Sequence, residues 1–188
     1  MLEWNVMNNC VEDKVKIFKA ALFNVVGTLG MLFDPTDVGH TIVDYYGTHK
    51  NVVPTLMLDY FPPVWKEKVF LMKIDVEGFE CKVLEGASSF MMSEYSPEVI
   101  LFECFPYFLG VHGCSSTQLL QMVYDFGYVE MYAYNEFDNN IDFKTATQYE
   151  KDIVPNQKIT PDMFSSYHSF AYREIRATRR KTNDYSNR

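Results

Sequence analysis

The sequence lacks the features that would place it in several common classes of protein. No apolar run reaches the roughly 20 residues that a membrane-spanning helix needs. The first residues carry neither a basic start nor the apolar core of a signal peptide, and no Asn-x-Ser/Thr acceptor for N-glycosylation occurs. The sequence therefore predicts no membrane segment in this chain and a cytoplasmic location, unless a targeting segment precedes it in a longer product.

Cysteine is scarce and irregularly spaced. The four cysteines, Cys10, Cys81, Cys104 and Cys114, form no Cys-x-x-Cys pair and no regular framework. Because disulfide-rich domains and zinc sites show such spacings, we expect free thiols in a reducing compartment.

Positive charge is also in short supply. The chain has 17 Lys and Arg against 25 Asp and Glu, a net charge of -8, which argues against general nucleic-acid binding. The remaining composition, 47% hydrophobic and 16% aromatic, is that of a globular domain. We interpret residues 1–175 as one domain and the basic residues 176–188 as a flexible tail.

The most informative segment, residues 68–87, is typical of a buried strand, a tight acidic turn and a helix. The strand is the apolar run from Val69 to Ile74, which ends at Asp75, and Gly78 allows the chain to turn sharply. A helical apolar face follows, made of Val83, Leu84, Ala87, Phe90 and Met91.

A second apolar strand, Pro97–Glu103, also ends in a carboxylate. If the two strands are parallel neighbours, Asp75 and Glu103 lie side by side at the edge where open α/β sheets place their ligands. Glu77 and Glu80 crowd the same turn. Their alternative role is structural, because acidic residues in the first turn of a helix complement its dipole.

The rest of the chain predicts a series of short elements. Before the acidic strand we expect a helix over 3–12, strands over 15–22 and 27–33, a loop over 34–50 and an extended segment over 52–58. After it we expect an aromatic loop over 104–114, a helix from Ser115 or Ser116 to Gly127, a strand over 128–134, a long polar loop over 135–166 and a last strand over 168–175. The last two strands are expected to form an antiparallel hairpin.

These motifs resemble the FkbM-type methyltransferase family over about residues 1–105. The resemblance is carried by Lys73–Glu80, by Val83–Ala87 and by Pro97–Glu103, in that order. Weaker matches precede them, at Leu58-Asp59 and at Val15–Leu22 followed by Gly27.

The resemblance implies an α/β, Rossmann-like class I methyltransferase sheet with a C-terminal antiparallel hairpin, strand order 3-2-1-4-5-7-6. It also implies S-adenosylmethionine as cofactor. The glycine-rich first strand and the acidic end of the second strand have no match, so we expect a domain truncated at the N-terminus. Strand 3 of that order, here residues 15–22, would then leave an exposed edge or dock directly on strand 4, the strand that ends at Asp75. An oligomer or a preceding segment would complete the sheet. Cofactor binding would be weak.

The residues expected to act in catalysis are Asp75, Glu77, Glu103 and His112. Asp75 is the first candidate for the base that takes a proton from an acceptor hydroxyl. Alternatively, Asp75 and Glu103 would hold a divalent cation, which is the less favoured option because the sequence shows no third ligand. His112 is a further candidate base, although a single loop histidine is more often merely polar.

For the cofactor, the resemblance implies contacts from Ala21, Leu22, Asn24 and Asp75. We expect O-methylation of a hydroxyl on a sugar, lipid or small metabolite. The alternative is a non-catalytic interaction module, or an inactive fragment of such an enzyme, and the sequence leaves both open. For the enzyme, we expect the partner to be a small-molecule acceptor rather than nucleic acid or membrane.

Overall fold

The computed structural model describes residues 2–33, 41–44, 52–61, 68–134, 157–166 and 174–179. In chain order, the elements are α1 (Leu2–Asn8), β1 (Ala21–Leu22), β2 (Gly27–Phe33), β3 (Thr41–Asp44), β4 (Val52–Leu56), β5 (Leu71–Ile74), α2 (Glu80–Glu85), α3 (Ser88–Met91), β6 (Val99–Glu103), α4 (Pro106–Val111), α5 (Ser116–Asp125), β7 (Glu130–Tyr134), β8 (Gln157–Ile159) and β9 (Glu174–Thr178). Short 3-10 helices lie at Leu58–Tyr60 and Pro161–Ser166.

The larger sheet has five strands in the order β5-β6-β9-β7-β8. Strands β5 and β6 are parallel, with Ile74 opposite Phe102, whereas β9 runs antiparallel to both β6 and β7. The predicted antiparallel pairing near the C-terminus is confirmed for β7 and β9. The last strand is Glu174–Thr178 rather than 168–175, of which 168–173 lie outside the described residues, and β8 precedes it in the chain, so the two strands do not form a simple hairpin. This part of the fold is mixed α/β and is consistent with a Rossmann-like methyltransferase sheet.

The smaller sheet has four strands in the order β1-β4-β2-β3. Strand β1 is parallel to β4, and β2 is antiparallel to both β3 and β4. Strand β1 is much shorter than the predicted strand over 15–22. It pairs with β4 on one side, lies at the edge of its sheet, and does not pair with the acidic strand β5, so among the described strands it leaves the unpaired edge that was one of the two expected outcomes. Strand β3 also corrects the predicted loop over 34–50.

The core lies between the larger sheet and the helices α2, α3 and α5. The predicted helical face is buried as expected, although Gly86 and Ala87 divide it between α2 and α3. Helix α5 begins with a capping box. The Ser115 side chain accepts a hydrogen bond from the backbone amide of Gln118, and the Gln118 side chain accepts one from the backbone amide of Ser115. Fully buried side chains from the sheet complete the core: Ile100, Phe102, Met131, Ile159, Ile175 and Ala177.

Two predicted loops contain regular structure. The aromatic segment after β6 forms α4, with Pro106 in the first helical turn, where a missing amide hydrogen costs nothing. The predicted loop over 135–166 contains β8 and a 3-10 helix in its described part, 157–166, while 135–156 lie outside the described residues.

The first residues of the predicted tail, 176–179, belong to the described part of the chain. Strand β9 continues to Thr178, and Arg179 donates hydrogen bonds to the carbonyl oxygens of Met91 and Phe126. Residues 176–179 are thus held against the domain. The rest of the predicted tail, 180–188, is outside the described part of the chain.

The prediction of four free thiols was wrong for two of them. Cys81 in α2 is disulfide-bonded to Cys114, just before α5, whereas Cys10 and Cys104 form no disulfide. The two bonded residues are 33 positions apart and meet only through tertiary packing, so no local spacing indicated the pair.

Residues that follow strands of the smaller sheet contact the helices packed on the larger sheet. Gly86, at the end of α2, lies against the backbone of Phe23, which follows β1. The Asp59 carboxylate accepts from the amides of Ser89 and Phe90 at 3.0 and 2.8 Å and so caps the start of α3. Among the described residues, no helix is long and apolar enough to cross a membrane.

Candidate active site

Three carboxylates meet at the carboxyl edge of the parallel strand pair. Asp75 follows β5 directly, Glu103 is the last residue of β6, and Glu77 lies in the turn after β5. One carboxylate oxygen from each of the three lies within 4.8 Å of those from the other two. The predicted meeting of Asp75 and Glu103 is confirmed, and Glu77 joins them. We call these three residues the acidic cluster.

The turn that carries the cluster is held in an unusual backbone conformation. Glu77 has φ +52° and Gly78 has φ +94°, both in the left-handed region. A Cβ on Gly78 would lie 2.6 Å from the Phe108 carbonyl carbon, so only glycine lets α4 approach this closely. The side chain of Glu77 is thereby fixed outside the helix, since α2 begins at Glu80.

Glu80 lies beneath the turn and is only 1% exposed. Its Oε1 accepts long hydrogen bonds, 3.4 Å each, from the amides of Val76 and Gly78. Burial, opposed in part by these hydrogen bonds, raises the pKa of Glu80 to about 7, and the charge of Glu103 adds to the rise. The sequence predicted that Glu80 complements the helix dipole at a solvated position, and it did not predict this burial.

Asp75 lies at the open side of the cluster. Its carboxylate is 3.1 Å from the Lys73 ammonium, and both side chains are about half exposed. Ion pairs with this exposure contribute little to stability. Asp75 therefore remains accessible to a ligand, whereas Glu103 is buried behind it.

A cavity of about 540 Å³ separates the smaller sheet from the end of β5. One wall comes from β1 and β2 and is mainly apolar, and the other comes from β5 and the acidic turn. Its lining includes Ala21 and Leu22 on the first wall and Asp75 and Glu77 on the second. The volume is in the range of small-molecule sites.

Two of the predicted site residues lie elsewhere. His112 ends α4 and stacks on Phe79 with a ring separation of 3.8 Å; Phe79 lines the cavity and His112 does not. Desolvation lowers the pKa of His112, which favours the neutral ring. Asn24 does not line the cavity and is hydrogen-bonded to α2, where its side-chain amide donates to the Glu85 carboxylate at 2.7 Å.

The site fits a cationic, partly apolar ligand. The apolar wall beside Ala21 and Leu22 suits an aromatic ring system, and the two carboxylates opposite attract positive charge. Among the described residues of the cluster, the donor set consists of oxygen atoms alone, which favours a hard cation over a soft one.

Comparison with known protein families gives a match. The sequence profile described as Methyltransferase FkbM domain matches residues 12–143, which is more than half of the chain and includes both acidic strand ends. No curated protein and no solved structure matches.

Proposed function

Because the chain belongs to the FkbM methyltransferase family, we propose that it transfers a methyl group from S-adenosylmethionine to a hydroxyl of a sugar, lipid or small metabolite. The family implies methylation dependent on S-adenosylmethionine, and the nature of the acceptor is our inference. The observation that carries it is the position of Asp75 and Glu77, two carboxylates on the wall of a ligand-sized cavity.

We assign the methyl donor to this cavity. Ala21 and Leu22 offer apolar contacts for the adenine ring, and Asn24 holds that wall to α2 through Glu85. When bound, S-adenosylmethionine supplies a methyl group on a positively charged sulfur. The carboxylates of Asp75 and Glu77 favour that charge at the opposite wall.

The acceptor side of the reaction requires removal of a proton from a poorly acidic hydroxyl. Asp75 is the accessible carboxylate of the acidic cluster and is our first choice for the group that takes it, directly or by holding a cation that acidifies the hydroxyl. His112 is a weaker choice, because Phe79 stands between its ring and the cavity.

Formation of S-adenosylhomocysteine tests this function. The purified chain is incubated with S-adenosylmethionine and pooled hydroxylated sugars, lipids or metabolites, and the product is measured by mass spectrometry. We expect product from at least one pool, and an increase of the acceptor mass by one methyl group. Absence of product from every pool, with a folded chain, would favour the non-catalytic interaction module.

A further inference from the structure

We propose that the acidic cluster binds a divalent cation, Mg²⁺ or Mn²⁺, through Asp75, Glu77 and Glu103. The cation site does not depend on the proposed function. Its role does: if the chain methylates hydroxyls, the cation holds and acidifies the acceptor oxygen at this edge of the sheet.

The spacing of the three carboxylates suits one ion. Metal–oxygen distances are about 2.0–2.1 Å for Mg²⁺, so ligand oxygens on opposite sides of one Mg²⁺ are about 4 Å apart. One carboxylate oxygen from each of Asp75, Glu77 and Glu103 lies within 4.8 Å of the other two, so small side-chain rotations bring all three onto a single ion. The fixed turn at Glu77 and Gly78 keeps this spacing in place.

A second, independent observation comes from Glu80. It is only 1% exposed, and its Oε1 is held by two backbone amides, but its Oε2 has no hydrogen-bond partner among the described residues. The charge of this carboxyl also acts on Glu103. When this carboxyl is ionised, its unpaired buried oxygen is costly, and a cation held by the adjoining cluster lowers that cost.

Charge balance points the same way. The cluster brings three carboxylates together and the carboxyl of Glu80 interacts with Glu103, whereas the Lys73 ammonium lies beside Asp75 at the half-exposed rim. A surface ammonium offsets little of the repulsion around the buried Glu103. A doubly charged ion in the centre of the cluster offsets far more, because it lies close to every carboxylate at once.

The test is Mn²⁺ binding by the full chain after chelator treatment, read by electron paramagnetic resonance of the free ion. We expect about one saturable site per chain, competed by Mg²⁺. Glu103→Gln should weaken binding roughly tenfold or more, whereas Glu94→Gln, which changes an exposed acid outside the cluster, should leave it unchanged. Asp75→Asn serves as a second cluster variant should Glu103→Gln fail to fold by circular dichroism.

The possible outcomes separate the cation site from the proposed function. Saturable binding lost in the cluster variants supports the site. Absence of saturable binding, or equal binding by the cluster variants and Glu94→Gln, overturns it. Binding of S-adenosylmethionine without binding of Mn²⁺ would contradict the cation site alone, and the reverse result would contradict the proposed function alone.

Discussion

Gly86, at the end of α2, packs directly against the backbone of Phe23, the residue after β1. A Cβ on Gly86 would overlap the carbonyl oxygen of Phe23, although its backbone angle of φ -77° is open to any residue. This contact joins the two walls of the candidate cavity, since β1 belongs to one wall and α2 follows the acidic turn of the other. It gives a physical reason for the glycine in the Val83–Ala87 motif.

Gly86→Ala should therefore destabilise the chain by about 1–3 kcal/mol, the usual cost of overpacking. Urea unfolding followed by circular dichroism measures the change. Gly110→Ala is the matched control, because nothing lies within 4 Å of a Cβ there and the residue is helical, so alanine should be neutral or slightly stabilising. Equal stability of both variants would mean that the contact with Phe23 is not close in solution.

Asp59→Ala should remove the cap of α3. The carboxylate accepts from the amides of Ser89 and Phe90, and those donors would then lack their partner, at a cost of about 1 kcal/mol. Asp59→Asn should recover part of the loss, because its amide oxygen can accept one of the two bonds. The same urea measurement checks both variants, and a fully stable Asp59→Ala would show that the cap contributes nothing.

Glu80 should make stability fall as the pH rises. Its pKa is raised from 4.5 to about 7, so the folded chain holds a proton that the unfolded chain releases in this range. The stabilisation is complete below pH 4.5 and is lost as the pH rises through about 7, a change of about 3 kcal/mol. Glu80→Gln should lack this dependence. Unfolding in urea from pH 4.5 to 8 with chelator present measures it, and parallel curves for the two proteins would contradict the burial of Glu80.

Asp75→Asn should lower turnover by about two orders of magnitude and leave the fold nearly intact, since Asp75 is half exposed and contacts Lys73 at the rim. Combined with Glu103→Gln, the loss should be smaller than the product of the two single losses, because both carboxylates act on the same ligand or ion. Steady-state rates for the four proteins give the cycle. Strictly multiplicative losses would mean that the two carboxylates act separately.

Local sequence patterns predicted the elements around the site well. The apolar run ending at Asp75, the one ending at Glu103 and the helical face beginning at Val83 all correspond to observed elements. These patterns succeed because burial of a strand or of one helix face imposes a periodicity on neighbouring residues. The meeting of Asp75 and Glu103 followed from one further assumption, that the two strands are parallel neighbours.

The features that the sequence missed depend on tertiary contacts. The sequence did not predict helix α4, because the segment around Pro106 is rich in aromatic residues. It did not predict β3, because glycines and a proline lie near that strand in the sequence. The pairing of Cys81 with Cys114 and the burial of Glu80 arise where α2 packs on the segment before α5 and under the turn. No local spacing encodes such contacts. The expected truncation at the N-terminus and the roles of the individual site residues stay predictions.

The most direct test of the proposed function is to locate the bound methyl donor. Backbone amide signals of the ¹⁵N-labelled chain are recorded by NMR while S-adenosylmethionine is added up to several millimolar, so that weak binding is also detected. We expect the signals of residues 20–23 and 72–79 to shift together and saturably, while those on the exposed side of α5 stay unchanged. Shifts confined to surfaces away from the cavity, or no shifts at all, would contradict the assignment of the donor site to this cavity.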